Sequence, residues 1–465
     1  MQMDSQSDGY SAAIAFLESL PPKSEWTLNP VFDLCALLGF DPKAVPCILV
    51  SGTNGKGSVA AFCESAIRNA GYKTGRYISP HLVDYTERIS INGSDVLKAD
   101  FARIILSAKA VVETYNQTHS ETLSQFEVNT AVALKFFLDS KVDFAVLEIG
   151  MGGRLDSTNV TEPALSIITR VSLDHVRMLG DSVEKIAFEK SGIMRKQRPV
   201  ITGCDGAALD AILKVAADMN SEVVVVGAKK NNRNAAAEKD ANFTFLEKSV
   251  SLSGTCVEIS SKLGTTQFSS TLLGGYQCFN MAVAYAALSK LVQQGTLKIG
   301  IRAIASGFQE AKWPGRLEIV STRPLVVLDG AHNADGARAL ADSVPLLFAG
   351  KKISLVCGMM DDKDVESTVA ILASFATSFY ATPVAYHRTA SAMRVAEAAR
   401  NHARGYELTI LEFGSADEAF KAAAKHAQSD ANGLVLVAGS LYLVGEIKAA
   451  LARQPFGSSL AENKQ

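Results

Sequence analysis

The sequence predicts an α/β protein with two domains, each built around a mostly parallel, doubly wound sheet. Short β-branched runs alternate with helical patterns, and such blocks occur twice along the chain. The chain has 465 residues, of which 48% are hydrophobic and 20% are charged, a composition unlike that of a disordered or fibrous protein. At roughly 100–200 residues per domain, this length favours more than one domain.

The first block of strands and helices extends to about residue 298. Its apolar runs predict parallel strands at residues 47–50, 144–147, 165–168 and 223–226. Between residues 228 and 273 the pattern changes to alternating polar and apolar residues, which predicts a small antiparallel sheet at the edge of this domain. The polar, basic loop at residues 229–240 is interpreted as a solvated loop rather than a binding patch.

The second block predicts a smaller, Rossmann-like α/β domain over residues 317–465. Its apolar runs predict strands at residues 325–328, 353–357, 378–381 and 434–437, separated by alanine-rich helices. Residues 299–316 lie between the two blocks and end in Trp313-Pro314-Gly315-Arg316. They are predicted to form a linker and hinge.

Charge and cysteine content exclude several classes of protein. With 46 Lys and Arg against 48 Asp and Glu, the net charge of -2 argues against a nucleic-acid partner. The seven cysteines show neither a C-x-x-C pair nor zinc spacing, which predicts reduced thiols. The first lysine is Lys23, so a basic signal-peptide start is missing, and the apolar run at residues 434–445 is too short to span a bilayer. We expect a cytoplasmic protein without membrane contact.

Residues 47–58 read CILVSGTNGKGS and carry the strongest local signal. A strand, a glycine loop and an amphipathic helix follow one another, so backbone N–H groups and a helix N-terminus can surround phosphate oxygens. Lys56 adds a positive charge for the outer phosphates. The motif departs from G-x-x-x-x-G-K-S/T because Gly57 separates Lys56 from Ser58. The alternative interpretation is a tight turn with a surface lysine.

A second glycine-rich segment, LEIGMGGRLDSTN at residues 147–159, follows an apolar strand. It places Glu148 at a carboxyl strand end, where open α/β sheets build their sites. Asp174 and His175 follow the next strand, so Glu148 and His175 could share a cation. Carboxylates suit Mg²⁺ better than imidazole does. In the alternative interpretation His175 packs or caps a turn, and Asp174 is only a helix cap.

Eleven strings in order resemble the folylpolyglutamate synthases and dihydrofolate synthases of the Mur ligase superfamily. They are SGTNGKGS (51–58), YISPHLVDYTERISING (77–93), FEVNTA (126–131), LEIGMGGRLDSTN (147–159), SLDHVRMLG (172–180), IAFEKSGI (186–193), GGYQCFN (274–280), WPGR (313–316), LDGAHN (328–333), GMMDDKD (358–364) and GSLYLVGE (439–446). The resemblance implies a P-loop, Mur-ligase-like ATP-binding domain with a pterin pocket at residues 1–298 and a C-terminal glutamate-ligase domain at residues 317–465.

The resemblance also implies roles for single residues. The ATP contacts would be Gly52, Thr53, Asn54, Gly55, Lys56, Gly57, Ser58, Asn280, Arg316 and Asp329, so that ATP would lie between the domains. The ligands of two Mg²⁺ ions would be Ser79, Glu148, His175 and an N-carboxylated Lys190. The pterin pocket would include Phe126, Glu127, Arg154 and Leu155, and the incoming glutamate would lie near His332 and Ser440. Without the resemblance, Lys190 is interpreted as an ordinary surface lysine on a helix.

The implied reaction is an ATP-dependent ligation. The bound acid would attack the γ-phosphorus of ATP, and the amine of glutamate would then displace phosphate from the acyl phosphate. Either His332 or the bound phosphate would take the proton from that amine. The implied partners are small molecules, and the implied state is a monomer. Extension of reduced folates and formation of dihydrofolate from dihydropteroate both stay open.

Two other functions are compatible with parts of the sequence. A cell-wall ligase of the Mur type would use the same chemistry but predicts a further N-terminal domain for a nucleotide sugar. A nucleotide-binding switch without synthetic activity would explain residues 52–58. It would not explain the His332 and Ser440 loops on a second domain.

Overall fold

The computed structural model describes residues 2–23, 26–229, 241–403 and 407–453. The helices are α1 Gln2–Ser19, α2 Asn29–Leu37, α3 Lys56–Asn69, α4 Lys98–Thr118, α5 Gln125–Asp139, α6 Val176–Leu179, α7 Val183–Ser191, α8 Gly206–Asp218, α9 Tyr276–Gln293, α10 Ile301–Glu310, α11 Ala334–Leu347, α12 Val365–Ala373, α13 Ala392–His402, α14 Ala416–Gln428 and α15 Leu441–Arg453.

The strands follow the same α/β alternation over most of the chain, which confirms the predicted fold class. They are β1 Cys47–Ser51, β2 Thr74–Tyr77, β3 Ile89–Ile91, β4 Ser94–Asp95, β5 Phe144–Glu148, β6 Ser166–Ile168, β7 Val200–Thr202, β8 Val223–Ala228, β9 Phe243–Ser251, β10 Gly254–Ser261, β11 Gly264–Ser270, β12 Glu318–Thr322, β13 Leu325–Leu328, β14 Lys352–Cys357, β15 Ser378–Ala381, β16 Thr409–Glu412 and β17 Gly433–Ala438.

The large sheet has the strand order β11-β10-β9-β8-β7-β6-β1-β5-β2-β3-β4. Strands β7, β6, β1, β5 and β2 are parallel to their neighbours within this group. Every residue of β1 and β5 is buried, as expected for central strands covered on both faces. This burial explains why both strands were predictable as short continuous apolar runs.

The predicted alternating segment forms β9, β10 and β11. Its apolar residues Phe243, Phe245, Val257, Ile259 and Phe268 are buried, as the alternation predicts. These strands extend the parallel sheet through the parallel pairing of β8 with β9, rather than standing apart from it. Of the polar loop at residues 229–240, all but the first residue lies outside the described residues.

The smaller sheet has the strand order β12-β13-β17-β14-β15-β16. Its four predicted strands are present as β13, β14, β15 and β17, and all are parallel to their neighbours in this group. The edge strands β12 and β16 were not predicted. Their residues are half-buried or exposed, so they lack the apolar run that marks the inner strands.

Contacts divide the chain into two compact units. The first unit contains the chain up to Leu246 with residues 257–269 and 278–311, and the second contains residues 247–256, 270–277 and the chain from Lys312. The boundary between the units falls at residues 311–312, inside the predicted linker at residues 299–316. Most of that segment, Ile301–Glu310, forms α10 within the first unit. Ile304 and Phe308 are buried, and Gly307 lies against the backbone of α3, so the segment is packed helix.

All seven cysteines are free thiols. Burial raises the pKa of Cys47 to about 12, so its reactive thiolate form is scarce at neutral pH. Within the described ranges, no helix is both long and apolar enough to cross a membrane.

Candidate active site

The glycine loop between β1 and α3 forms the predicted cradle. Gly55 precedes the first turn of α3 with a φ of 88°, and Gly52 has a φ of 143°, both in a region that favours glycine. A Cβ atom on Gly52 would lie 1.8 Å from Thr169 Oγ1, so no larger residue fits there. Lys56, Gly57 and Ser58 form the first turn of α3, and the N-terminal turn of a helix is where backbone N–H groups point toward a bound anion.

The end of β6 holds the loop in place. Thr53 N donates to the carbonyl oxygen of Arg170 at 2.6 Å, and Thr169 Oγ1 donates to the carbonyl oxygen of Asn54 at 2.7 Å. Thr53 Oγ1 also bonds to Ser172 at 3.1 Å. The cradle is therefore fixed from a neighbouring strand, as preorganised phosphate binding requires.

Two lysines meet beneath the loop. Lys56 Nζ donates to the carbonyl oxygens of Gly52 and Thr53, both at 3.1 Å, and Lys190 Nζ donates to Gly52 at 2.9 Å. Lys190 is only 5% exposed, so the interpretation as a surface lysine is wrong. Burial, reinforced by the charge of Lys56, lowers the pKa of Lys190 to about 7.

Three further predicted site residues, Glu148, Ser79 and His175, lie at or beyond the carboxyl ends of β5, β2 and β6. Glu148 ends β5, in register with Val50 of β1, and is 6% exposed. Ser79 follows β2 by two residues, and His175 follows β6 by seven. His175 immediately precedes α6 and has a φ of 50°, and its side chain is 36% exposed. These ends lie at one edge of the sheet, as ligand sites in open α/β folds do.

The donor set fits a magnesium ion that a nucleotide helps to hold. Among the described residues, no three His, Cys, Asp or Glu side chains form a metal-binding group. Magnesium commonly uses one or two carboxylates and takes its other ligands from phosphates and water. The carboxylate of Glu148 and the hydroxyl of Ser79 are oxygen donors of the required kind, whereas the imidazole of His175 suits this ion less well.

The second glycine-rich segment is organised around a buried carboxylate. Asp156 accepts hydrogen bonds from Met151 N at 3.0 Å, Thr158 N at 3.0 Å and Thr158 Oγ1 at 2.6 Å. Burial raises its pKa, against the effect of these bonds. Ser51 Oγ donates to the carbonyl oxygen of Gly152 at 2.7 Å, which joins the two glycine-rich segments. Sequence reasoning did not assign this role to Asp156.

Of the residues predicted to line the pterin pocket, Arg154 and Leu155 belong to this segment and Phe126 contacts it. A Cβ atom on Gly150 would lie 2.7 Å from Phe126 Cζ, so the Phe126 ring rests directly on the segment. Arg154 is exposed and pairs with Glu189 at 2.9 Å, and Leu155 beside it is half-buried. Glu127 is 1% exposed, bonds to Ser124 and pairs with Lys23 at 2.7 Å. Its position is therefore explained by the capping of α5 and by this ion pair.

Asn280 lies against the start of α3. A Cβ atom on Gly55 would lie 2.6 Å from Asn280 Oδ1, and Asn280 itself is 3% exposed. The structure thus brings Asn280 to the same cradle as Lys56, although more than 200 residues separate them in the chain.

In the second unit, Arg316 and Asp329 lie together. Asp329 accepts hydrogen bonds from Leu317 N at 2.9 Å and Ala331 N at 2.8 Å. Burial raises the pKa of Asp329, and the Arg316 charge opposes this. A Cβ atom on Gly330 would lie 2.2 Å from Arg316 Nη1, so the guanidinium sits on the backbone that follows β13.

His332 and Ser440 follow two neighbouring parallel strands, β13 and β17. Their loops are joined because Gly439 N donates to the carbonyl oxygen of Ala331 at 2.9 Å. His332 Nδ1 lies 2.8 Å from the carbonyl oxygen of Gly330, and Ser440 Oγ accepts from Tyr442 N at 3.1 Å. The predicted pair is therefore brought together at one edge of the smaller sheet. Asn333 caps α11, because its side chain accepts a hydrogen bond from Gly336 N.

Comparison with known proteins places the chain among ligases. Residues 50–288 match the Mur ligase middle domain, and residues 315–441 match the glutamate ligase domain of Mur ligases. The chain is 32% identical over 428 residues to "Dihydrofolate synthase/folylpolyglutamate synthase" of Bacillus subtilis, covering 91% of this chain and 94% of that protein. The chain belongs to the dihydrofolate synthase/folylpolyglutamate synthase family of Mur ligases.

Solved structures of this family have the same fold. The folylpolyglutamate synthase of Mycobacterium tuberculosis, complexed with ADP and AMPPCP, matches with a TM-score of 0.86 at 27% identity, over 97% of this chain and 100% of that one. The bifunctional folylpolyglutamate synthase/dihydrofolate synthase of Yersinia pestis, complexed with AMPPNP and an Mn ion, matches with a TM-score of 0.79 at 29% identity, over 95% of this chain and 98% of that one.

Proposed function

We propose that this ligase joins L-glutamate to the carboxylate of a reduced folate and converts ATP to ADP and phosphate. The observation that carries the proposal is the fixed cradle of Gly52 to Ser58 in a chain of this family. The half-buried Lys56 and the buried Lys190 both donate hydrogen bonds to the carbonyl oxygen of Gly52 in this cradle. The nucleotide complexes of the relatives from M. tuberculosis and Y. pestis support ATP as the substrate of this cradle.

In this proposal the N–H groups at the start of α3 bind the phosphates of ATP, and Asn280 contacts the nucleotide beside Gly55. Lys56 stabilises negative charge on the transferred phosphoryl group, which is the main task of a protein in phosphoryl transfer. In the second unit, Arg316 and Asp329 are the proposed nucleotide contacts. The fixed loop means that little reorganisation is needed when charge develops.

Ser79, Glu148 and His175 would hold magnesium, with Lys190 in N-carboxylated form serving a second ion. A bound magnesium ion would neutralise phosphate charge. The pKa of Lys190, lowered to about 7, supports this carboxylation, because the neutral amine is the form that reacts with CO₂. The neutral amine and CO₂ form a carbamate and release one proton. Counted from the ammonium form, two protons leave and a buried cation becomes an anion. The Mn ion in the Y. pestis relative supports a divalent metal.

The acceptor carboxylate attacks the γ-phosphorus and becomes an acyl phosphate, because a free carboxylate is too poor an electrophile for an amine. The amine of glutamate then attacks the acyl carbon and expels phosphate. His332 and Ser440 are proposed to hold the glutamate. Phe126, Glu127, Arg154 and Leu155 are proposed to line the pterin pocket, of which Phe126 offers an aromatic face.

The two-part name of the B. subtilis relative supports a second acceptor, dihydropteroate, whose ligation to glutamate gives dihydrofolate. We also propose that the protein acts as a cytoplasmic monomer on small-molecule substrates. The Mur ligase matches support a division into an ATP-binding and a glutamate-ligase domain close to the predicted one.

The decisive experiment supplies ATP, magnesium and glutamate with either tetrahydrofolate or dihydropteroate, and identifies the products by mass spectrometry. We expect each product to be heavier than its acceptor by one glutamate residue, with one ADP released per bond. ADP release that does not depend on an acceptor or on glutamate would overturn the proposal and favour a nucleotide-binding protein without synthetic activity.

A further inference from the structure

Arg170 occupies an unassigned position beside the phosphate cradle. It follows β6 by two residues, and its carbonyl oxygen accepts the hydrogen bond from Thr53 N at 2.6 Å. Its side chain is exposed, so the guanidinium is accessible to a ligand. The backbone of Arg170 therefore belongs to the cradle while its charge faces solvent.

The guanidinium lies over an aromatic ring that holds it in place. Arg170 Cζ is 4.3 Å from the centre of the Phe279 ring, within the range of a cation–π contact. Phe279 is 6% exposed and rests on Gly203, where a Cβ atom would lie 2.2 Å from the ring. The ring is thus a fixed platform, and the residue after it, Asn280, faces Gly55.

Two other arginines of the first unit, Arg154 and Arg195, are paired with acids, whereas Arg170 is not. Arg154 pairs with Glu189 at 2.9 Å, and Arg195 pairs with Glu162 at 3.4 Å. Over the described ranges of the chain, no carboxylate forms an ion pair with the guanidinium of Arg170. Its charge is therefore available to an anion, and stacking on Phe279 reduces the conformational entropy that binding would cost.

We propose that Arg170 binds the polyphosphate of the nucleotide at the rim of the cradle. This inference rests on the proposed use of ATP and adds a binding residue to it. The guanidinium would donate to phosphate oxygens, a charge-assisted contact for which its planar fork is suited. Phe279 would act as a positioning residue, since it touches Arg170 rather than the nucleotide.

The test measures the affinities of the full-length protein for ATP, ADP and adenosine by isothermal titration calorimetry. Arg170→Gln should weaken ATP and ADP binding by about tenfold, a typical value for a lost hydrogen bond to a charged group, and leave adenosine binding unchanged. Phe279→Leu should cause a smaller loss for ATP and ADP. Raising the salt concentration should reduce the difference in ATP affinity between wild type and Arg170→Gln, because ions screen exposed charges.

Arg198→Gln is the matched control. Arg198 is also exposed, but it precedes β7 and so lies at the amino edge of the same sheet. Removing this charge should leave all three affinities unchanged. Arg170→Lys keeps the charge and serves as the second variant if Arg170→Gln folds poorly, with an expected affinity between those of Arg170→Gln and wild type.

Three outcomes would overturn the inference. Equal ATP affinities of Arg170→Gln and wild type would remove Arg170 from the site. An equal loss for adenosine would assign it to the nucleoside instead of the phosphates. Equal losses in Arg198→Gln would show a general effect of net charge. If wild type itself binds no ATP, the proposed function fails, which is distinguishable from failure at Arg170.

Discussion

Lys56 and Lys190 donate to the same acceptor, the carbonyl oxygen of Gly52, at 3.1 and 2.9 Å. Burial lowers the pKa of Lys190 to about 7, and repulsion from the ammonium group of Lys56 adds to this effect. Without an anion, the cradle is therefore a place of concentrated positive charge. A polyphosphate would relieve this repulsion, which ties the geometry of the loop to the ligand that it is proposed to bind.

Replacing Lys56 by alanine should reduce kcat/KM for ATP by about 10²–10³, the loss typical of a group that stabilises charge in a transition state. Lys56 Nζ donates to backbone carbonyl oxygens of its own loop, and we expect the fold to persist without these two bonds. The measurement is ADP release with all substrates present, and circular dichroism checks folding. Full activity in the folded variant would remove Lys56 from the mechanism.

The lowered pKa of Lys190 should appear as a dependence of stability on pH. In the unfolded chain this lysine titrates near its ordinary value of 10.5, and in the native protein at about 7. Between these values the unfolded state binds one more proton. The free energy of unfolding should therefore rise with pH, by up to about 1.4 kcal/mol per unit. Below the native pKa both states are protonated and the slope disappears.

This prediction is tested by urea unfolding of the protein without metal or nucleotide, in CO₂-free buffer at several values between about pH 7.5 and 9.5. Lys190→Met serves as the comparison, because other titrating groups are common to both proteins. The wild type should gain stability relative to this variant as pH rises. Parallel curves would show that Lys190 titrates normally.

The inner strands and the phosphate-binding loop could be predicted from the sequence because their sequence patterns are local. The inner strands β1, β5, β14 and β17 are buried almost throughout, so each appears as an apolar run. The short β7 and the half-exposed β12 lack such a run. Helix α10 was predicted as linker because its burial against α3 depends on partners more than 200 residues away.

Site residues that act through tertiary contacts were not accessible in this way. From the residues alone, Lys190 is a lysine next to Glu189 on a helix, and only the fold buries it beneath Gly52. Thr169 and Asp156 hold the two glycine-rich segments, yet a threonine at a strand end and an aspartate in a loop are common. The polar residue just after an apolar strand was the available signal for Thr169.

Asp156→Asn should destabilise the protein by about 2–3 kcal/mol, the cost of leaving buried hydrogen-bonding groups unmatched. The carboxylate is 2% exposed and accepts from Met151 N and Thr158 N, so an amide nitrogen would oppose one of these donors. Urea unfolding measures the change. Asp205→Asn is the control, since Asp205 is exposed and makes no capping bond to α8. Equal stability of both variants would refute the role given to Asp156.

His332→Ala should slow amide formation more than acyl phosphate formation. The carbonyl oxygen of Gly330 only accepts hydrogen bonds, so Nδ1 of His332, at 2.8 Å, carries the proton and the lone pair resides on Nε2. That tautomer is the one able to take a proton from the amine of glutamate. Rapid-quench assays follow the two steps separately, with ADP formation reporting the first and product the second. Equal slowing of both steps would instead favour the bound phosphate as the base, with His332 holding the loop in place.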